Sequence, residues 1–237
     1  KTIEPATGST LTLGASGDTI TVNSDSIKTN TFKDAGGNTL FTSDGAGTLS
    51  SVNSGLAGGA GPVLISTHTA SGASSVDITS GIDSTYDEYM FVCTDIGPAT
   101  DSVDFGFQVN VAGQSGFNEV MTTTCIHVYH SESDSAGGPQ YETAHDQAQG
   151  TGLGQLTDDM GNGSDESYAG ILHLFSPSST TYVTHFYSNV NSHYHKNSRA
   201  DQLLIAGYIN ATGAVDEITF KMSSGNFDGV IQMYGIK

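Results

Sequence analysis

The chain reads as an all-β protein: an extended β shaft at the N-terminus, then an antiparallel β-sandwich of jelly-roll-like build. Three observations predict this. Thirty glycines stand against only 14% charged residues in 237, so helix formers are sparse. Apolar residues alternate with polar ones in short runs separated by Gly, Asn, Asp and Ser. All ten tyrosines, eight histidines, five methionines and both cysteines lie beyond residue 60, which marks a composition boundary.

Residues 1 to 60 form the first region. They carry twelve large aliphatic or Phe side chains, too few to exclude water from 60 residues unless other chains supply the missing walls. Its phrases, "LTLGASGDTITVNSDSI", then "DAGGNTL" from Asp34 and "DGAGTL" from Asp44, form a loose repeat of a few β-formers followed by an Asp/Gly/Asn turn. Short strands stacked along a shaft fit that pattern; a disordered polar linker is the competing reading, weakened by the recurring Leu, Ile and Val. The segment "SGLAGGAGP", Ser54 to Pro62, reads as a flexible joint. The start at Lys1 without Met suggests residues upstream.

Residues 61 to 237 form the second region, with ten candidate strands. They are 63–69, 75–79, 88–94, 101–111 and 121–130, then 166–175, 181–188, 201–210, 214–222 and 229–236. In the fourth, Val103, Phe105, Phe107, Val109 and Val111 occupy every second position, which buries one face. The last has apolar groups on both faces and reads as a strand flanked on both sides. Residues 131 to 165 interrupt the series; a 35-residue break in a compact domain is usually functional or mobile. "GTGLG" at 150–154 lacks a preceding strand and a following helix, and reads as a flexible loop rather than a dinucleotide fingerprint.

Charge and motifs exclude several function classes. Twenty-five acidic residues against seven Lys and Arg give −18, which repels phosphate backbones and anionic lipid heads, so no nucleic acid is expected as a partner. No stretch approaches 18 uncharged apolar residues, so no membrane insertion is expected either. The common signatures of serine hydrolases, zinc proteases, redox proteins and P-loop NTPases are missing. Cys93 and Cys125 sit inside strand-like runs and read as free buried thiols rather than a disulfide.

Two segments resemble a known family. "DEITFKMSSGNFDGVIQMYGIK" is similar to the closing hairpin of bacteriophage virion proteins, and "DSIKTNTFKDAGGNTLFTSDGAGTLSSVNSGL" resembles shaft segments of tail-fibre proteins from phages of marine bacteria. The resemblance implies a homotrimeric tail fibre of the virion, with no catalytic role, bound to other virion proteins and adhering to a host-surface glycan or protein. A capsid decoration or head-fibre protein is the structural alternative. A surface polysaccharide depolymerase is the enzymatic one. Its two carboxylates would come from Asp158, Asp159, Asp165 and Glu166, although neighbouring acids are expected by chance in so acidic a chain.

Receptor-contact candidates are Tyr141 and His145, whose planar polar rings suit sugar faces, and His193, Tyr194 and His195. In "SHYHKN", His193 and His195 would share one side of a strand. Three copies near a threefold axis would offer their imidazoles to one metal ion, as the His-x-His sites of some phage spikes do. No other cofactor is expected. His127 and His130 fall on opposite faces of their strand, and His173, within "ILHLF", reads as a core histidine.

Overall fold

A computed structural model describes residues 31–34, 36–46, 48–50, 52–53, 61–196 and 198–237. The chain divides into two compact units, Lys1–Gly59 and Ala60–Lys237. The described residues of both are all-β and antiparallel. Among the described residues there is no α-helix, and no helix long and apolar enough to cross a membrane.

In the first unit, β1 (Thr31–Lys33), β2 (Thr39–Ser43) and β3 (Leu49–Ser50) form a three-stranded meander. The loose sequence repeat is the reason. Asp34 Oδ1 accepts from the Asn38 amide at 2.8 Å, and Asp44 Oδ1 accepts from the Ala46 and Thr48 amides at 2.7 and 3.1 Å. Each Asp therefore closes its own hairpin, with Gly37 and Gly45 supplying positive φ in the turns. These hydrogen bonds, from Asn38 and Ala46 foremost, hold both carboxyls below the usual carboxylate range. Phe32 stacks on Phe41 at 4.5 Å, yet no described side chain of this unit is fully buried in the single chain. The strands expected at 11–27 and most of the joint expected at 54–62 lie outside the described residues.

The second unit begins with β4 (Val63–Ala73), β5 (Val76–Ile78), β6 (Glu88–Pro98), β7 (Phe105–Val111) and β8 (Met121–Ser131). Next come β9 (Gly137–Tyr141), a 3-10 turn η1 (Thr143–His145), β10 (Ala148–Gly150) and β11 (Gly154–Gln155). The last five are β12 (Tyr168–Phe175), β13 (Thr184–Tyr194), β14 (Arg199–Ile209), β15 (Val215–Met222) and β16 (Phe227–Ile236). All ten expected strands are present.

One sheet has nine strands in the order β10-β8-β14-β13-β12-β6-β16-β4, with β9 also paired to β8; the other has four, β11-β7-β15-β5. They face each other through aromatic contacts. Phe105 of β7 meets Tyr168 and Phe227 of the large sheet, each at 5.4 Å, Phe107 meets Phe186 at 5.0 Å, and Phe91 meets Phe220 at 5.5 Å. The alternation read in β7 puts Phe105, Phe107 and Val109 in this core, but the opposite face, expected to be wet, is buried as well at Gly106, Gln108 and Asn110. β16 runs between β6 and β4, which explains its two apolar faces.

Two local expectations are corrected. Residues 131–165 are not a bare interruption, since they hold β9, η1, β10 and β11 and bury Leu156, Thr157 and Met160 completely or nearly so. Nor is 150–154 a free loop. Gly154 pairs with Phe107, and a Cβ there would come within 2.7 Å of the Phe107 ring. Glycine is required at this position by close packing rather than flexibility.

Both cysteines are free and buried. Burial pushes the Cys93 thiol from 9.0 up to about 12, and burial followed by the nearby Glu142, Asp146 and Asp158 does the same for Cys125.

Two predictions follow from the core. Phe105→Ala should cost about 3–5 kcal/mol in a denaturant titration, whereas Tyr182→Ala, at a residue 75% exposed, should stay within about 0.5 kcal/mol. For the thiols, the fold prefers the neutral form and the unfolded chain ionises first. Their contribution is therefore intact below pH 9.0 and is lost as pH rises from there toward about 12. The denaturation midpoint measured against pH should fall across that window, with a shallower fall in the Cys93→Ala, Cys125→Ala double variant.

Candidate functional site

The large sheet is wider than the small one, and its two faces differ in chemistry. On the inner face at the β8-β14-β13 end, the strands bury polar groups: His127, Ser131, Ser188, Ser192 and Asp201. The segment 142–160 packs over them. Asp201, wholly buried, accepts two hydrogen bonds from Arg199, Nε to Oδ1 at 2.7 Å and Nη2 to Oδ2 at 3.1 Å. The Arg199 guanidinium lies 3.8 Å from the Tyr194 ring centre and 4.5 Å from that of Tyr129. Its Nη2 also reaches Asp158 Oδ2 at 3.6 Å, and His127 Nε2 stands 3.3 Å from Asp201 Oδ2. Burial works against the charge on Arg199, but the Asp201 bonds outweigh it and hold its pKa above the ordinary value.

Three of the four neighbouring acids are engaged, and the fourth, Asp165, is exposed. Burial raises the Asp158 pKa, which His145 only partly offsets. Burial also opposes ionisation of Asp159, yet bonds from Ser102, Lys196 and Tyr194 prevail and keep its carboxyl low. Glu166 accepts from the Gly163 amide at 2.8 Å and faces His193 at 3.1 Å.

The sequence-predicted residues do not gather in one place. His145 is buried in η1, 3.6 Å from Asp158, and is not available to a receptor. Tyr194 is half-buried beneath Arg199. β13 stops at Tyr194, so His193 and His195 do not continue one strand face. His193 turns to Glu166, at the edge of a cavity of about 340 Å³, while His195 Nδ1 sits 3.1 Å from the Asp159 carbonyl oxygen. Within one chain they therefore form no metal pair. His173 is also corrected. It points outward, paired with Glu88 and stacked on Tyr187 at 4.6 Å. His127 and His130 do part, one buried and one exposed. Tyr141 is 56% exposed, and its hydroxyl bonds Asp146 and Thr124.

Tyr141 opens onto the outer face of the large sheet, a surface that the sequence reading did not identify. Register places Tyr141, Ile126, Leu204, Asn189, Ile171, Val92, Gln232 and Thr67 in one row across eight strands. The adjacent row runs Thr124, Ala206, Tyr187, His173, Met90, Tyr234 and Leu64. On the other side lie Val128, Gln202, Asn191 and Ala169. None of these residues is Asp, Glu, Lys or Arg, in a chain of net charge −18. With strands about 4.8 Å apart, the uncharged strip is about 34 Å long. Charge returns at its margins, at Glu88, which pairs with His173, at Asp146, which accepts from the Tyr141 hydroxyl, and at Asp228. On the strip, Tyr187 stacks with His173 and Phe175, and Gln202 donates to Asn189 at 3.1 Å. Flat aromatic surface beside amide groups can pack on sugar rings and hydrogen-bond their hydroxyls.

No protein-family model, curated protein or solved structure matches this chain.

The Arg199 bridge gives a test of the buried cluster. Arg199→Met leaves the Asp201 carboxylate buried without its fork and should cost about 3–5 kcal/mol. The double variant Arg199→Met, Asp201→Leu, which removes both charges, should recover most of that loss in the same denaturant titration.

Proposed function

We propose that this chain is a non-enzymatic, homotrimeric virion appendage of the tail-fibre kind, whose jelly-roll-like head adheres to an uncharged glycan on the host surface. The observation that carries the adhesive reading is the uncharged outer face of the nine-stranded sheet, which bears Tyr187, His173, Tyr141 and a set of amides. Elsewhere the acidic surface repels anionic polymers, which leaves this face as the one suited to a neutral sugar chain. The trimer is supported by the first unit, where short Asp-closed hairpins bury no described side chain within a single chain. Three weak sites on one particle would act together, because the second and third contacts become intramolecular.

A binding rather than hydrolytic role draws support from the acids that a depolymerase would need. Of the four candidates, Asp158, Asp159 and Glu166 are held by His145, Arg199, Lys196 and His193, which leaves Asp165 alone exposed. The capsid-decoration reading shares the same trimer and differs only in place on the particle.

The test is an array of neutral and anionic bacterial surface oligosaccharides probed with the full-length chain, whose solution mass should be three times that of one copy. Neutral glycans should be retained, and Tyr187→Ala should weaken retention by about tenfold, roughly 1.4 kcal/mol, without moving the unfolding midpoint. Retention of anionic glycans alone, or binding indifferent to Tyr187→Ala, would remove the sheet face from the account. Reducing ends released over time would favour the depolymerase, and a monomeric mass would end the fibre reading.

A further inference from the structure

We propose that Asp104, His145 and Asp158 form a site for one divalent transition-metal ion, zinc by preference, which fastens the 142–160 segment to the start of β7. One ligand atom from each of the three lies within 4.8 Å of those of the other two. His145 is 95% buried; its Nδ1 has no hydrogen-bond partner among the described residues, and its Nε2 faces Asp158 Oδ1 at 3.6 Å, beyond hydrogen-bond reach. A buried imidazole left in that state is costly, and a cation is one of the few groups that would satisfy it.

Spacing supports the ion further. His145 Nε2 stands 3.6 Å from Asp158 Oδ1. That is too long for a hydrogen bond, and near the ~3.3 Å separating two ligands of one tetrahedral zinc with bonds of about 2.0–2.1 Å.

The surrounding groups hold the carboxylates as an outer shell would. Asp104 Oδ1 accepts from the Asp159 amide at 2.9 Å and Oδ2 from Gln155 Nε2 at 2.7 Å. Asp158 divides its oxygens, Oδ1 toward His145 and Oδ2 toward Arg199. Asp104 and His145 also line a cavity of about 430 Å³, which gives a fourth coordination position access to water.

A second triad, His127, Asp158 and Asp201, competes for Asp158. It is the poorer site, because the Arg199 fork already neutralises Asp201 and a metal ion there would sit beside a fixed guanidinium. An imidazole with two carboxylates selects zinc-like ions over calcium or magnesium, which prefer all-oxygen shells. The site stands independently of the glycan-binding reading.

The experiment uses the full-length chain, stripped with a chelator and titrated calorimetrically with zinc, calcium and magnesium chlorides. One zinc per chain should bind, with a raised unfolding temperature and calcium at least about a hundredfold weaker. Cobalt(II) in its place should give the visible absorption of a four-coordinate site. Asp104→Asn and His145→Gln should each weaken zinc binding by about tenfold or more. The double variant His193→Gln, His195→Gln should bind as the parent does. Circular dichroism identifies any variant that fails to fold, and the cobalt spectrum of the unaltered chain reads the site without a variant. Failure to take up zinc stoichiometrically, zinc binding that survives both Asp104→Asn and His145→Gln, loss of binding in the His193/His195 variant, or calcium bound as tightly as zinc would each overturn the assignment.

Discussion

Nine strands facing four is the constraint from which the second unit takes its form. The small sheet can cover only the part of the large sheet where Phe91, Tyr168, Phe186 and Phe227 point inward, and there the core is apolar and aromatic. Beyond it the inner face of β8, β14 and β13 needs another cover, supplied by the segment between β8 and β12. A cover made of short strands and turns brings unpaired backbone groups and acidic side chains with it, and a purely apolar floor would leave them unsatisfied. Ser, His and Asp at alternate inward positions of these strands match the polarity of their cover. Arg199 joins the two layers. It satisfies Asp201 in its own strand, reaches Asp158 in the cover, and is clamped between two tyrosine rings. Such a buried pair adds little net stability over an apolar replacement. Its effect is to fix one seating of the cover on the sheet.

The fold was largely legible in the sequence because ten of its strands write their burial as alternation or as dense apolar runs. What escaped notice has a common physical cause. β9 reads "GGPQY", β10 "AQG" and β11 "GQ", with no local preference for strand; they are extended because the edges of β8 and β7 offer them hydrogen bonds. Conversely the Asp/Gly repeat of the first unit worked as a signal because an Asx-type turn is local chemistry, complete within five residues.

The candidate sites divide in the same way. Tyr141 was reachable from the sequence, since it sits in an unusually long insertion; its companions on the outer face were not. They belong to strands with apolar residues in both phases, such as Leu203 beside Leu204, and in a single strand nothing tells which phase faces the core. Only the register between strands assembles Ile126, Leu204 and Tyr187 into one surface. Asp104, His145 and Asp158 form no motif at all. They arrive from the residue just before β7, from η1 and from the loop before β12, and their convergence is a consequence of the cover's position.

The charge of the chain is distributed by the same geometry. An antiparallel strand whose two faces are both occupied has few positions for a carboxylate, so many acids of the second unit collect in turns, in the cover and along the rims, and Asp201, inside β14, needs the Arg199 fork. A −18 molecule thus carries one broad face with no formal charge. A neutral partner lying over carboxylates would strip them of water at a cost, and this face spares it that cost. Specificity on such a surface cannot come from ion pairs. It must come from shape, ring stacking and amide hydrogen bonds, each of order 1 kcal/mol, and contacts that weak need either a long ligand lying across several rows or several copies of the face held together.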